Sequence, residues 1–77
     1  MVDTIGTRLR QARERRVITQ EDLSQLSGVT EATISRLEND KSGPTRQSTV
    51  RKLAAALEVE PQWLLLGEDE QAGKWAA

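Results

Sequence analysis

Apolar residues recur along this chain at helical spacing in five blocks, each set off by polar or glycine-bearing breaks. Ile5, Leu9 and Ala12 predict a first helix from about Thr4 to Arg15. Asp3 or Thr4 can cap its start, and its Arg-rich end suits the negative end of a helix dipole. Gly6 weakens its first turn. A second helix opens at Thr19, an N-cap with Asp22 three residues on, a shortened capping box. Ile18 and Leu23 hold the two positions of a hydrophobic staple, and the helix runs to about Ser27 before Gly28. Thr30 then caps a third helix, where Val29 and Ile34 form a second staple. Two helices separated by about three residues centred on a glycine make a helix-turn-helix signature, here Gln20 to Asn39.

The stretch Asp40-Lys41-Ser42-Gly43-Pro44 reads as a loop. Thr45 can cap a fourth helix, in which Val50, Leu53, Ala54 and Leu57 follow an i, i+3, i+4, i+7 stripe. Pro61 suits the first turn of a short fifth helix that holds Trp63 to Leu66 and stops at Gly67. The expectation is a five-helix, all-α domain over residues 1–67. Residues 68–77, acidic and then rich in Gly and Ala, are expected to form a frayed tail.

On a helical wheel with Ile34 at zero, Thr30, Ile34 and Leu37 share one narrow arc that must pack inward. Ala32, Ser35, Arg36 and Asn39 fall on the opposite half, small or hydrogen-bonding side chains that let the helix approach a groove closely. Arg36 can fork onto a guanine, and Ala32 and the Thr33 methyl can touch a thymine methyl. Glu31 can accept from a cytosine amino group or simply stabilise the helix N-terminus. Such residues also occur on ordinary solvent faces. Their place on the second helix of a helix-turn-helix is what distinguishes them. Glu38 lies beside the inward arc, so its carboxylate needs a cationic partner if buried, and Arg13 beside the first apolar stripe can supply one. The alternative is a hydrated Glu38.

Composition narrows the functional classes. Cysteine and histidine are both absent from the 77 residues, which removes disulfides, Cys/His zinc sites and the commonest general base. No metal cluster or phosphate loop is visible and no cofactor is implied, so an enzyme is set aside. No apolar run reaches the roughly 18 residues of a membrane span, and the N-terminus lacks a signal-peptide core; a cytoplasmic protein is expected. The net charge of -1 is unevenly spread. Residues 1–52 carry ten Lys/Arg against seven Asp/Glu, and residues 53–77 one Lys against five Asp/Glu. That polarity suits a chain with one end facing phosphates.

The string Ile5-Gly6, Leu9-Arg10, Arg13, Thr19-Gln20, Leu23, Gly28-Val29, Ile34-Ser35, Leu37-Glu38-Asn39, Lys41, Pro44, Leu53-Ala54 and Leu57 resembles the lambda-repressor and Cro type of helix-turn-helix domain, also called the xenobiotic-response-element family. The resemblance spans Ile5 to Gly67. It implies that Glu31, Ala32, Thr33 and Arg36 read bases, with Ser35 beside them on the outward face. It implies phosphate contacts from Gln20, Asn39, Lys41 and Arg46, with Gln20 also able to brace the recognition helix. It implies a buried ion pair between Arg13 and Glu38. Three positions depart from the family pattern. Ser24 stands in place of the usual Ala, Glu58 in place of a frequent Gly, and Glu60 is a weaker cap for the fifth helix than Ser or Asp.

These observations lead to a bacterial or phage transcriptional regulator, a repressor that binds palindromic duplex DNA as a homodimer and is nucleoid-associated when bound. The alternative is an antitoxin-type protein that binds a toxin or other protein partner and its own promoter. If the chain is complete, it lacks the sensing or self-cleaving domain of longer phage-type repressors. Trp63 and Leu66, three residues apart, share a face that can dimerise, with Leu64 and Leu65 closing the core. Trp63 can instead fold back over the first helix.

Overall fold

The computed structural model describes residues 4–41 and 45–67. Five helices follow in order: α1 Ile5–Arg15, α2 Gln20–Ser27, α3 Glu31–Glu38, α4 Gln47–Leu57 and α5 Pro61–Leu66. The fold class is all-α. The predicted tail, residues 68–77, and most of the predicted 40–44 loop lie outside the described residues.

Local signals set most of the boundaries. Thr4 Oγ1 accepts from the Thr7 amide at 3.1 Å and starts α1. Thr19 and Asp22 exchange both bonds of a capping box at 3.0 Å each. Thr30 Oγ1 accepts from the Thr33 amide at 3.3 Å. The fourth cap is not where the sequence places it. Arg46, not Thr45, is the N-cap of α4, and no side chain bonds the exposed amides there. Glu60 likewise caps α5 without a side-chain bond, and Pro61 at the first position removes one amide that would need a partner.

One core joins the helices. Leu9 and Ala12 of α1, Leu23 of α2, Ile34 and Leu37 of α3, and Val50, Leu53, Ala54 and Leu57 of α4 are buried together, as their periodicities require. Val29, Val59, Trp63 and Leu64 complete the cluster, and Ile18 packs against it. α1 packs on α3 and α5, α2 on α3 and α4, and α4 on α5. Gly6 belongs to this arrangement through its size. A Cβ there would collide with the Leu37 carbonyl oxygen and stand 2.7 Å from Asp40 Oδ1 and 3.1 Å from the Glu38 carbonyl. The glycine that weakens the first turn of α1 is therefore what lets α1 lie against the end of α3.

Two predicted placements are corrected here. Trp63 is 5% exposed and belongs to the core, so it does not form a surplus face with Leu66. Leu65, expected inside, is 37% exposed and stands outside with Leu66 at 59%. Arg8 supplies the physical reason. It is a buried arginine of α1 whose Nε and Nη2 donate to the Leu64 and Leu65 carbonyl oxygens at 2.9 and 2.8 Å. Those bonds tie the last carbonyls of α5 to α1 and set how α5 is rolled. No helix among the described residues is long and apolar enough to cross a membrane.

Candidate nucleic-acid interface

The turn between α2 and α3 is built by four residues. Gly28 takes φ 78°, a left-handed conformation that costs glycine nothing, and its amide bonds the Ser24 carbonyl at 2.9 Å. Ser27 Oγ accepts from the Val29 amide at 3.1 Å, and Val29 enters the core. Thr30 then opens α3. Because Thr30 is a cap in extended backbone and not a helical residue, it is exposed, not inward as the wheel placed it.

Within α3 the wheel otherwise agrees with the structure. Ile34 and Leu37 are buried, while Glu31, Ala32, Arg36 and Asn39 are exposed and Thr33 and Ser35 are half-buried. Of the cations expected to meet phosphate, Arg46 is exposed at the start of α4 and Lys41 just after α3. Among the described residues none of Arg36, Lys41 and Arg46 has an ion-pair partner. A surface that keeps its cations uncommitted is electrostatically ready for an anion.

Glu38 anchors this helix from behind. Its side chain is 0% exposed. Arg13 grips it with two parallel bonds, Nε to Oε2 at 2.7 Å and Nη2 to Oε1 at 3.0 Å. Gln20 Nε2 donates to Oε1 at 3.1 Å, and Arg10 Nε stands 3.5 Å from the same oxygen. Burial alone would push the Glu38 carboxyl up. Hydrogen bonds from Arg13 and Gln20, with the charges of Arg13 and Arg10, outweigh it and hold the carboxyl below the usual carboxylate range. The same bond to Glu38 raises Arg13 against its own burial. Arg13 Nη1 further donates to the Ile18 carbonyl at 2.9 Å, so one guanidinium ties α1 to the α1–α2 turn and to α3.

Gln20 therefore braces α3 by one amide hydrogen and keeps the second for another acceptor. Asn39 is turned back on its own helix, donating to the Ser35 carbonyl at 2.8 Å. The sequence reading missed Arg8 and the approach of Arg10 to Glu38. Arg8 sits three residues after Ile5 and four before Ala12, on the apolar stripe of α1, and that register was the available signal for its burial.

A helix-turn-helix family model matches residues 9–64. RghR of Bacillus subtilis (strain 168), an HTH-type transcriptional repressor, is 41% identical over 64 residues, 83% of this chain and 47% of RghR. PrtR of Pseudomonas aeruginosa, an HTH-type transcriptional regulator, is 39% identical over 74 residues, 96% of this chain and 28% of PrtR. The chain thus spans less than half the length of these curated relatives. The P22 c2 repressor protein, solved in complex with synthetic operator 9T, superimposes with a TM-score of 0.78 at 30% identity, covering 87% of this chain and all of that one. With five helices among the described residues, a Gly28 turn and an outward α3, the chain belongs to the lambda-repressor/Cro-type helix-turn-helix family of DNA-binding transcriptional regulators.

Proposed function

We propose that the chain is a transcriptional repressor that occupies palindromic operator DNA as a homodimer, with α3 in the major groove. The observation that carries the reading is the exposed half of α3. It combines short side chains with Arg36 and flanking cations that have no ion-pair partner among the described residues, while Glu38 fixes the helix from its buried side. Glu31, Ala32, Thr33, Ser35 and Arg36 read base edges, with Arg36 suited to guanine. Gln20, Asn39, Lys41 and Arg46 contact phosphates and fix the docking register. Repression is supported by the name of RghR and by the operator-bound P22 c2 repressor.

Dimerisation rests on α5. Leu65 and Leu66 are exposed beside Pro61 and border an apolar groove that reaches Val50 of α4. A homodimer that reads a palindromic site needs its two recognition helices about 34 Å apart, one turn of duplex. The test is selection of bound sequences from a random duplex pool, followed by titration against salt. A selected site with inverted repeats and a steep loss of affinity with salt is expected. Binding that ignores sequence would remove the regulator reading. Arg36→Ala is expected to weaken the selected site by about 1–3 kcal/mol and relax one base position, whereas Lys41→Ala weakens all duplexes alike.

A further inference from the structure

Two arginines of α1 approach the Glu38 carboxylate, and they meet it in different ways. Arg13 is 15% exposed and commits Nε, Nη1 and Nη2 to Glu38 and the Ile18 carbonyl. Arg10 lies three residues earlier on the same helix and is 49% exposed. Its Nε stands 3.5 Å from Glu38 Oε1, longer than a good hydrogen bond. Among the described residues Arg10 makes no hydrogen bond.

Glu38 does not need this second guanidinium. Oε2 accepts from Arg13 Nε at 2.7 Å, and Oε1 accepts from Arg13 Nη2 at 3.0 Å and from Gln20 Nε2 at 3.1 Å. Arg13 alone balances the single carboxylate charge. Arg10 is therefore a surplus cation, held at the surface by attraction to a buried anion. Gln20, the first residue of α2, turns to the same oxygen, and its second amide hydrogen has no acceptor among the described residues. Nitrogens 3.5 and 3.1 Å from one oxygen are near neighbours, so the uncommitted donors of Arg10 and Gln20 border one patch beside the end of α3.

We propose that Arg10 and Gln20 clamp a single backbone phosphate of the bound duplex, with Glu38 as the post that aims them both. Arg10 supplies the charge and Gln20 a second donor. A guanidinium carries five N–H donors in a planar fork that suits phosphate, and Glu38 faces only the Nε side of this one. A cation already steered by a buried carboxylate gives up less freedom on binding than a loose surface arginine. The inference rests on the reading that α3 lies in the major groove, with Gln20 toward the backbone.

The experiment titrates the duplex selected by the parent chain between about 50 and 200 mM salt, using the parent, Arg10→Ala, Arg10→Lys and Gln20→Ala. Loss of one phosphate contact flattens the slope of log affinity against log salt by about 0.9 per bound copy. Arg10→Ala is expected to show that change, so that across this range the parent loses about three- to four-fold more affinity per copy than the variant. Arg10→Lys keeps the charge and restores the slope. A single neutral methylphosphonate is then moved along the backbone of the same duplex. One position is expected where it weakens the parent, and where that loss shrinks by about two-fold or more in both Arg10→Ala and Gln20→Ala. A purely structural partner of Glu38 produces no signal confined to one phosphate. Arg10→Ala is also expected to melt close to the parent, because Arg13 and Gln20 keep the carboxylate bonded. An unchanged salt slope would overturn the proposal. So would Arg10 and Gln20 answering to different phosphates, or Arg10→Ala melting as low as Glu38→Ala. If any of these appears while Arg36→Ala still relaxes one base position, the clamp fails and the groove reading stands. A parent chain with no affinity for duplex DNA removes both.

Discussion

At Glu38 a single carboxylate gathers donors from α1 and α2 onto the last residue of the recognition helix. Removing it strands a guanidinium, so Glu38→Ala is expected to cost about 3–5 kcal/mol, a large part of the stability of any small domain. Thermal or urea unfolding measures this, and a variant melting within a few degrees of the parent would place the carboxylate in water. A pH dependence follows from its lowered pKa. The ionised form is favoured by folding, so the stabilisation is complete above the ordinary value of 4.5 and disappears as pH falls through the lower folded value. Glu38→Gln should flatten that acid limb, read as the unfolding midpoint against pH. The pairing with Arg13 was legible because both residues border apolar stripes. The contributions of Gln20 and Arg10 were not, because they depend on how α1 and α2 cross α3, which no single-helix pattern encodes.

The helix ends show how local chemistry and packing divide the work. α1, α3 and α4 all stop in the same double-bonded turn, with a left-handed residue donating to the carbonyl three before it and the next residue to the carbonyl five before it. Glycine is absent from all three turns: Val17, Asp40 and Glu58 hold φ near 57–58°. Glu58 was legible as a misfit through its departure from the family pattern, while Val17 was not. Val17 is 88% exposed and β-branched, so it has little packing to offset a left-handed cost of about 1–2 kcal/mol. Allowing for the entropy lost by glycine, Val17→Gly is expected to stabilise by about 1 kcal/mol and raise the melting midpoint by about 4–8 °C. Gly6 shows the opposite constraint. Alanine favours helix by about 1 kcal/mol, yet its Cβ would strike the Leu37 backbone, so Gly6→Ala should destabilise by about 1–3 kcal/mol of overpacking. It should also weaken DNA binding, since the displaced backbone belongs to α3. Only α5 resisted a sequence-level assignment of faces. Six residues make fewer than two turns, so periodicity could not decide which leucines turn inward; the Arg8 bonds do.

Across the whole molecule, charge and apolar surface separate by function. The cations that flank α3 lie in the N-terminal two thirds of a chain whose net charge is only -1. Affinity for duplex DNA should therefore fall steeply with salt, while the Arg13–Glu38 bond, with its carboxylate sealed from solvent, is screened far less. The complex should dissociate at salt concentrations that leave the fold intact, which circular dichroism and DNA titration on one sample can compare. The exposed leucines of α5 are the apolar counterpart to those cations. Leu65→Ala with Leu66→Ala is expected to shift micromolar sedimentation from dimer to monomer with an unchanged helical spectrum, because neither side chain belongs to the core. A parent monomeric at that concentration, or a variant that dimerises equally well, would take α5 out of the interface. The all-α class and the helix-turn-helix were legible in caps, Gly28 and periodic stripes. The dimer face was only half legible, because Trp63 and Leu66 share spacing and not burial.

The valine at the α1–α2 turn bears on how this protein can change. A residue with little contact and an unfavourable backbone angle holds stability that one substitution releases, outside α3 itself. Proteins tolerate new function only while they stay above a folding threshold. A library of recognition-helix variants built on Val17→Gly should consequently keep more folded members, and more altered operator preferences, than the same library on the parent chain. Evolution toward a new operator would then begin outside the recognition helix.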